Sequence, residues 1–442
     1  VTRDPAWILT IGDELMRGEI VDSNKSFLSE RLLSLEIEVA RHVSVPDRPE
    51  SIEEVLRESA RRAEVVIVSG GLGPTRDDLT TEVAARTFGR LLVRDCVALE
   101  GIRAFFASLG RTMAENNAKQ ADFPEGADIL PNPLGTAPGF MLEVGPIPEG
   151  EPSLLFFLPG VPRELYRMME EQVLPRIVKH RAARGVRPRA VRSALLRTFG
   201  VGESNLDRSL DDLVRDDPDA SLGFRTQFPD NLVRIVVRDV DPAAADAKLQ
   251  TLVCHVCERL GSLVVSDEGR WLWEVVGDLL IGRKLTIAVA ESCTGGLLSS
   301  RLTDVPGSSA YLRSSWIAYS NESKVRELGV SAGEIERHGA VSEPVVRQMA
   351  QGARTRSGAD IGLATSGIAG PGGGTPEKPV GTVWVAIADQ DGTMAQQYPL
   401  GGRDRALNKE LATHIALDWI RRRVLALPLT ESTFPRPREG RR

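Results

Sequence analysis

The sequence predicts an α/β protein: two doubly wound α/β domains, at residues 1–172 and 270–425, joined by a small α+β module at 173–265. Three observations lead there. In both outer parts short β-rich runs alternate with segments of helical spacing, the pattern of parallel strands with crossover helices. Several of those runs end in glycine, where open α/β sheets bind ligands. The middle segment has a different character, with closely spaced strand-like runs and one long helix-like stretch.

WILTIG (7–12) reads as the first strand, and DSNKSFLSERLLSLEI as a helix capped by Asp22 or Ser23. IEVARHVSV is a second strand. The helix in VPDRPESIEEVLRESARRA follows, with Ser51 and Glu54 placed as a capping box. EVVIVSGGLGPTRDDLTTEVAARTFG gives strand, glycine-rich loop and helix. The basic stretch RIVKHRAARGVRPRAVRS (176–193) reads as a linker. Beyond it, VRSALLRTFG, NLVRIVVRDV and DPAAADAKLQTLVCHVCERL make up the α+β module. In the last part KLTIAVA, SSWIAYS, DIGLATSG and GTVWVAIAD are strands with helices between them. The polar, basic tail at 426–442 reads as disordered.

With 442 residues, 42% hydrophobic, 26% charged and a net charge of −6, the composition is that of a soluble protein and argues against a general nucleic-acid coat. No long apolar run and no charged-then-apolar leader stand out, so a cytoplasmic protein without a membrane partner is expected. Four cysteines, Cys96, Cys254, Cys257 and Cys293, are too few and scattered for a disulfide framework. Cys254 and Cys257 form a CxxC without a second pair, which suits two core-facing thiols one helical turn apart better than a zinc site.

In SGGLGPTRDD, Gly70, Gly71 and Gly73 let backbone N–H groups approach a phosphate at a helix start. Asp77 and Asp78 in the same loop repel a bare phosphate unless a divalent cation lies between. Asp47, at another strand end, reaches toward the same crevice. Spacing alone leaves open a plain turn with Asp78 as helix cap. The loop is not a Walker A motif and lacks a full GxGxxG.

The run AVAESCTGGLLSSRL (288–302) sets Ser292 and Cys293 at a strand-to-helix turn. Serine there is commonly an N-cap. As a nucleophile it would have the backbone amides of residues 293–295 as an oxyanion site. In WIAYSNESK, Tyr319 ends another strand and Lys324 falls one turn into the next helix, on the edge where Ser292 lies. A buried, neutral Lys324 can serve as the base, with Tyr319 relaying the proton or orienting substrate; taken singly, they read as a solvated helix lysine and a half-buried strand residue. His338 and His414 are the only histidines in this part, His338 has no carboxylate at an obvious partnering position in the sequence, and the GxSxG elbow is absent. Cys293 as a thiolate is the rival nucleophile. The glycine-rich stretch 365–383 lies at the same edge.

TIGDELMRGEIVDSN, VSGGLGPTRDDLTTE, NPLGTAPGF, FLPGVPREL, AESCTGG, AYSNESK, HGAVSEP and GIAGPGGGTPEKPVGTV together resemble the CinA family of competence/damage-inducible proteins over nearly the whole chain. The resemblance implies a molybdopterin-binding-like N-terminal domain associated with ADP-ribose pyrophosphatase activity, a KH-like connecting domain, and a C-terminal nicotinamide-nucleotide amidohydrolase domain. It implies catalysis by Ser292, Tyr319 and Lys324, with substrate binding by Thr294, Gly295, Gly296, Gly367, Gly370 and Arg403. In the N-terminal domain it implies phosphate binding by Gly70, Gly71, Gly73 and Thr75, and a divalent metal ion on Asp78 and Asp47; Asp47 follows VPD where the family more often has a preceding glycine. No cofactor is expected for the C-terminal domain. The expected partners are NMN, ADP-ribose and a second copy in a homodimer, and not nucleic acid: the module lacks the GxxG loop that clamps RNA. Alternatives are a non-hydrolytic pterin or nucleotide binder in the N-terminal domain, and an interaction role in DNA uptake or recombination resting on the basic linker.

Overall fold

The computed structural model describes residues 4–145, 152–186, 189–402 and 404–429. The chain forms two compact units, residues 1–192 with 238–245 and residues 193–237 with 246–442. No helix among the described residues is long and apolar enough to cross a membrane.

The strands of the first unit are β1 (Asp4–Ile11), β2 (Val39–Val45), β3 (Ala63–Ser69), β4 (Leu92–Arg94), β5 (Asp122–Pro124), β6 (Asp128–Leu130), β7 (Gly139–Val144) and β8 (Ser153–Leu158). Six form one sheet in the order β2-β1-β3-β8-β7-β6, while β4 and β5 pair as a separate ribbon. The first four are mutually parallel and β7 and β6 run antiparallel, so the doubly wound pattern ends in a hairpin. The helices are α1 (Asp13–Met16), α2 (Ser23–Leu33), α3 (Pro49–Arg62), α4 (Thr80–Thr87), α5 (Cys96–Ser108), α6 (Pro162–Met168) and α7 (Leu174–Ala183). Alternation along the central strands fills both faces. Trp7, Leu9, Val66, Val68 and Phe157 pack with Ile52, Val55 and Leu56 of α3. Ile8, Ile67 and Phe156 pack on the other side with Leu28 and Leu32 of α2 and Leu165 of α6.

Asp22 caps α2, accepting from the Lys25 amide at 3.2 Å. Ser51 and Glu54 form no capping box. Helix α3 starts earlier, at Pro49, whose fixed φ and missing N–H suit the first helical position. The basic stretch is not a linker either. It is helical through Ala183, and three of its arginines have internal partners: Arg176 with Asp128 at 2.7 Å, Arg181 with the Leu35 carbonyl, Arg189 with Glu36 at 2.6 Å.

The middle segment, most of which belongs to the second unit, contains β9 (Ala190–Thr198), α8 (Glu203–Leu210), β10 (Ala220–Gln227), β11 (Asp230–Asp239), α9 (Pro242–Leu260) and β12 (Val264–Ser266). The sheet order is β10-β11-β9-β12, covered by Leu206, Leu210, Val253, Val256 and Leu260 from the helices. Of the CxxC pair, Cys257 is half-buried and Cys254 is exposed, so only one thiol turns inward.

The last part contains α10 (Leu272–Arg283), β13 (Ile287–Glu291), α11 (Leu297–Thr303), β14 (Leu312–Ile317), α12 (Asn321–Leu328), α13 (Ala332–His338), α14 (Glu343–Ser357), β15 (Ile361–Gly367), β16 (Thr382–Asp389), β17 (Gly392–Pro399) and α15 (Arg405–Val424). Its sheet runs β14-β13-β15-β16-β17. The first three strands are parallel; β16 and β17 are antiparallel, and no helix separates β15 from β16. The glycine-rich stretch is therefore a long hairpin loop at the carboxyl edge of β13, β14 and β15. Helices α10, α11 and α15 cover one face and α13 and α14 the other. Near its end, α15 places Arg421 and Arg422 on buried Asp418, and Arg421 donates to the Ser262 and Val264 carbonyls beside β12. Residues 430–442 of the expected tail lie outside the described residues.

Candidate active sites at two sheet edges

Ser292 follows β13 directly, its amide donating to the Thr365 carbonyl of β15 at 3.0 Å. The turn then coils through Gly295 and Gly296, at φ of 60° and 96°, into α11. A side chain at either glycine is strained, and one at Gly296 would also meet Ile317 at 3.0 Å. What anchors the turn is Glu291, which is fully buried. One carboxylate oxygen accepts from the Gly296 and Leu298 amides at 2.9 and 3.1 Å. The other accepts from the Ser299 amide at 2.8 Å and from its hydroxyl. The α11 N-terminus is thus capped by Glu291, and Ser292 is not its cap. Among the described residues, no other residue supplies an acceptor for the amide hydrogens of Cys293, Thr294 or Gly295.

Lys324 is 1% exposed, so the solvated-lysine reading does not hold. Its Nζ donates to the carbonyls of Ala318 at 2.8 Å and Tyr319 at 3.1 Å. Burial lowers its pKa below the usual lysine value, opposed by the Glu322 carboxylate. A neutral amine has two N–H bonds and a lone pair, and the two carbonyls use both N–H bonds. Cys293 is buried in the hydrophobic core, and desolvation pushes its thiol up to about 12. At neutral pH it stays a thiol, which argues against the thiolate alternative.

Tyr319 is 60% exposed rather than half-buried, and its hydroxyl accepts from Arg405 Nη2 at 3.0 Å. Arg405 Nη1 donates to the Gly370 carbonyl at 2.7 Å, tying the glycine-rich loop to Tyr319. Gly367 ends β15 at this edge. Thr294 departs from expectation. It is fully buried and its hydroxyl pairs with that of Thr365 at 2.8 Å, so its side chain braces the turn from beneath. Arg403 lies outside the described residues.

In the first unit a cleft of about 540 Å³ opens at the carboxyl ends of β1 and β3. Gly70, Gly71, Gly73, Asp47, Asp77 and Asp78 all line it. Gly70 sits at φ 107°, and a Cβ there would lie 2.2 Å from the Ile11 carbonyl, so only glycine lets the loop pass β1. Asp78 does not cap α4. Its Oδ2 accepts from the Thr75 amide at 2.8 Å and the Thr75 hydroxyl at 2.5 Å, closing the loop on itself. Thr75 therefore holds Asp78 and does not line the cleft. Asp47 accepts from the Asp13 amide at 2.8 Å. Burial raises its pKa, opposed by that bond and reinforced by Glu14, Asp13 and Asp77. The cleft thus has an excess of carboxylate oxygens, though among the described residues no three acidic, His or Cys side chains converge as a metal group.

Family models cover most of the chain: the probable molybdopterin binding domain at residues 7–179, the damage-inducible protein CinA KH domain at 193–265 and the CinA C-terminal domain at 270–424. A CinA-like protein of Geobacter metallireducens is 42% identical over 95% of this chain and 99% of its own length. The chain belongs to the CinA family. A competence-damage inducible protein of Symbiobacterium thermophilum, so described provisionally, is also 42% identical over 95% of this chain and 99% of its own. Among solved structures, the competence/damage inducible protein CihA from Agrobacterium tumefaciens is 36% identical, with a TM-score of 0.33, covering 34% of this chain and 93% of that one.

Three residues of this CinA-family chain escaped sequence reasoning. Glu291 looked like the end of a strand, and nothing local shows that its carboxylate turns back onto α11. Arg405 and Lys409 lie beyond β17, and α15 brings them to the site from about 110 residues away in the chain. Their spacing of four in RDRALNK, one helical face, was the available signal.

Proposed function

We propose that the C-terminal domain is an amidohydrolase that converts NMN to nicotinic acid mononucleotide and ammonia. What supports this is that Ser292 stands on a turn with uncommitted amides at the end of β13, and that Lys324, just beyond the neighbouring parallel strand β14, is buried with its pKa lowered. Lys324 Nζ takes the Ser292 hydroxyl proton as Oγ attacks the carboxamide carbon. The amides of residues 293–295 hold the oxyanion. The Lys324 ammonium returns the proton to the departing nitrogen, releasing ammonia and leaving an ester on Ser292. Water then attacks the ester, Lys324 takes its proton, and the acid and free Ser292 are restored. Tyr319 orients the substrate. The test is ammonia release from NMN by wild type and by Ser292→Ala, with the product identified by chromatography. Equal activity in both would remove Ser292 from the mechanism.

For the N-terminal cleft we infer hydrolysis of a nucleotide diphosphate such as ADP-ribose. Two carboxylates and the ligand's own phosphates suit a hard cation, which Asp78 and Asp47 would hold; when bound, it polarises a phosphoryl oxygen. The glycine amides receive the phosphates and Thr75 fixes the Asp78 carboxylate. The lack of a three-residue metal group among the described residues favours a second reading, a nucleotide or pterin binder without hydrolysis. Formation of AMP from ADP-ribose decides between them.

A further inference from the structure

The glycine loop of the N-terminal cleft is gripped along its carbonyls by a short 3₁₀ helix, Glu115–Ala121, between α5 and β5. Lys119 Nζ donates to the Asp78 carbonyl at 3.1 Å and to that of Thr75. Gln120, 6% exposed and lining the cleft, donates from Nε2 to the Leu72 carbonyl at 3.5 Å. Asn117 fixes the same amide by donating to its Oε1 at 3.0 Å. Asn116 donates to the Pro74 carbonyl at 3.3 Å. Thr80 supplies its hydroxyl to the Gly70 carbonyl at 2.9 Å and its amide to that of Gly71 at 3.2 Å. Among the described residues Lys119 has no carboxylate partner.

A trans peptide sets its C=O and the N–H of the next residue in opposite directions. Donors that take the Gly70, Gly71 and Leu72 carbonyls therefore turn the amides of Gly71, Leu72 and Gly73 the other way. Among the described residues, no other residue supplies those amides with an acceptor. Successive N–H groups so aimed make a concavity that receives an anion. The Pro74 carbonyl, taken by Asn116, sets the Thr75 amide that Asp78 accepts, and Lys119 grips that Thr75–Asp78 turn at both ends. Its bonds are charge-assisted, the stronger kind. We propose that Lys119 and Gln120 are the positioning residues of this loop, Gln120 aiming its amides at a diphosphate and Lys119 fixing the turn that presents Asp78. Both act through the loop backbone. Both roles rest on the diphosphate reading of the cleft, and not on hydrolysis there.

The experiment titrates pyrophosphate, in excess magnesium, calorimetrically into the full chain as wild type, Lys119→Met, Lys119→Arg and Gln120→Met. The same proteins are followed by urea unfolding and assayed for AMP formation from ADP-ribose. Lys119→Met should weaken pyrophosphate about 10- to 100-fold and Gln120→Met about 3- to 10-fold, the scales of a charge-assisted and a neutral hydrogen bond. Lys119→Arg, which keeps the charge and the donors, should restore most of the affinity. Gln120→Met should act mainly on KM for ADP-ribose, and Lys119→Met on kcat as well, because it frees the turn that carries Asp78. Wild-type affinity in both Met variants, even with a lowered unfolding midpoint, would overturn the positioning roles and leave the 3₁₀ helix a support of the fold. A loss in Lys119→Met with none in Gln120→Met would overturn them too, making Lys119 a direct phosphate contact. No binding by wild type would sink the diphosphate reading itself. If pyrophosphate follows the expected pattern while wild type forms no AMP, hydrolysis fails and the positioning roles stand.

Discussion

Replacing Glu291 by Gln removes one charge and no volume, so its effect isolates what the carboxylate does. Each of its oxygens takes two donors: Gly296 N and Leu298 N on one, Ser299 N and the Ser299 hydroxyl on the other. A carboxamide must put an NH2 group at one of those positions. Wherever it goes, two donors lose their acceptor in a fully buried site. A buried unsatisfied donor costs about 1–3 kcal/mol, so the substitution should cost roughly 2–6 kcal/mol. The Ser299 hydroxyl can rotate toward Ser315, which favours the lower half of that range. The assay is urea unfolding of the full chain followed by tryptophan fluorescence. Of the six tryptophans only Trp7 lies outside residues 271–419, so the signal reports the C-terminal domain. NMN deamidation is measured below the transition, where loss of the turn should depress kcat more than it raises KM. A midpoint within error of wild type, with full activity, would refute the idea that Glu291 builds the nucleophile turn.

Lys324→Met should abolish ammonia release. In wild type kcat/KM should rise with pH through a midpoint below the 10.5 of an ordinary lysine, because only the neutral amine is a base. Since the folded pKa is lowered, the unfolded chain binds the extra proton between the two values. Wild-type stability should therefore climb with pH across that window, and denaturant melts of the Met variant should lack this climb. Asp78→Asn should eliminate AMP formation from ADP-ribose and spare NMN deamidation; joint loss, by chromatography of both products, would argue against independent sites. Asp230→Ala should destabilise the second unit by about 3–5 kcal/mol in the same fluorescence melt, because it strands the buried guanidinium of Arg197, 2.9 Å away.

Much of this protein was determined locally. Asp22 before an amphipathic run set the start of α2, and alternating β-rich runs and helices gave an α/β fold. Paired glycines at 70–71 and 295–296 marked where backbone must turn through positive φ. Ser292, Tyr319 and Lys324 were placed at one edge because parallel strands deliver their carboxyl ends to the same side. Such features depend on a few neighbouring residues, so they can be read from a short window of sequence.

The rest was decided by contacts between distant segments. Strand direction is one case: β15 and β16 look alike as sequence, and only pairing between Gly367 and Val383 shows that the chain doubles back between them. The roles of polar side chains are another. Thr75 and Thr294 stood beside the right glycines, yet Asp78 and Thr365 claim their hydroxyls. Lys324 could be read as a buried base or, taken singly, as a solvated helix lysine, and only the fold that encloses it decides for burial. Desolvation and hydrogen bonding depend on everything packed around a group, and the sequence names the group without naming its surroundings. The start of α15 brings Arg405 and Lys409 to a turn more than a hundred residues earlier, a juxtaposition that exists only once the sheet has closed.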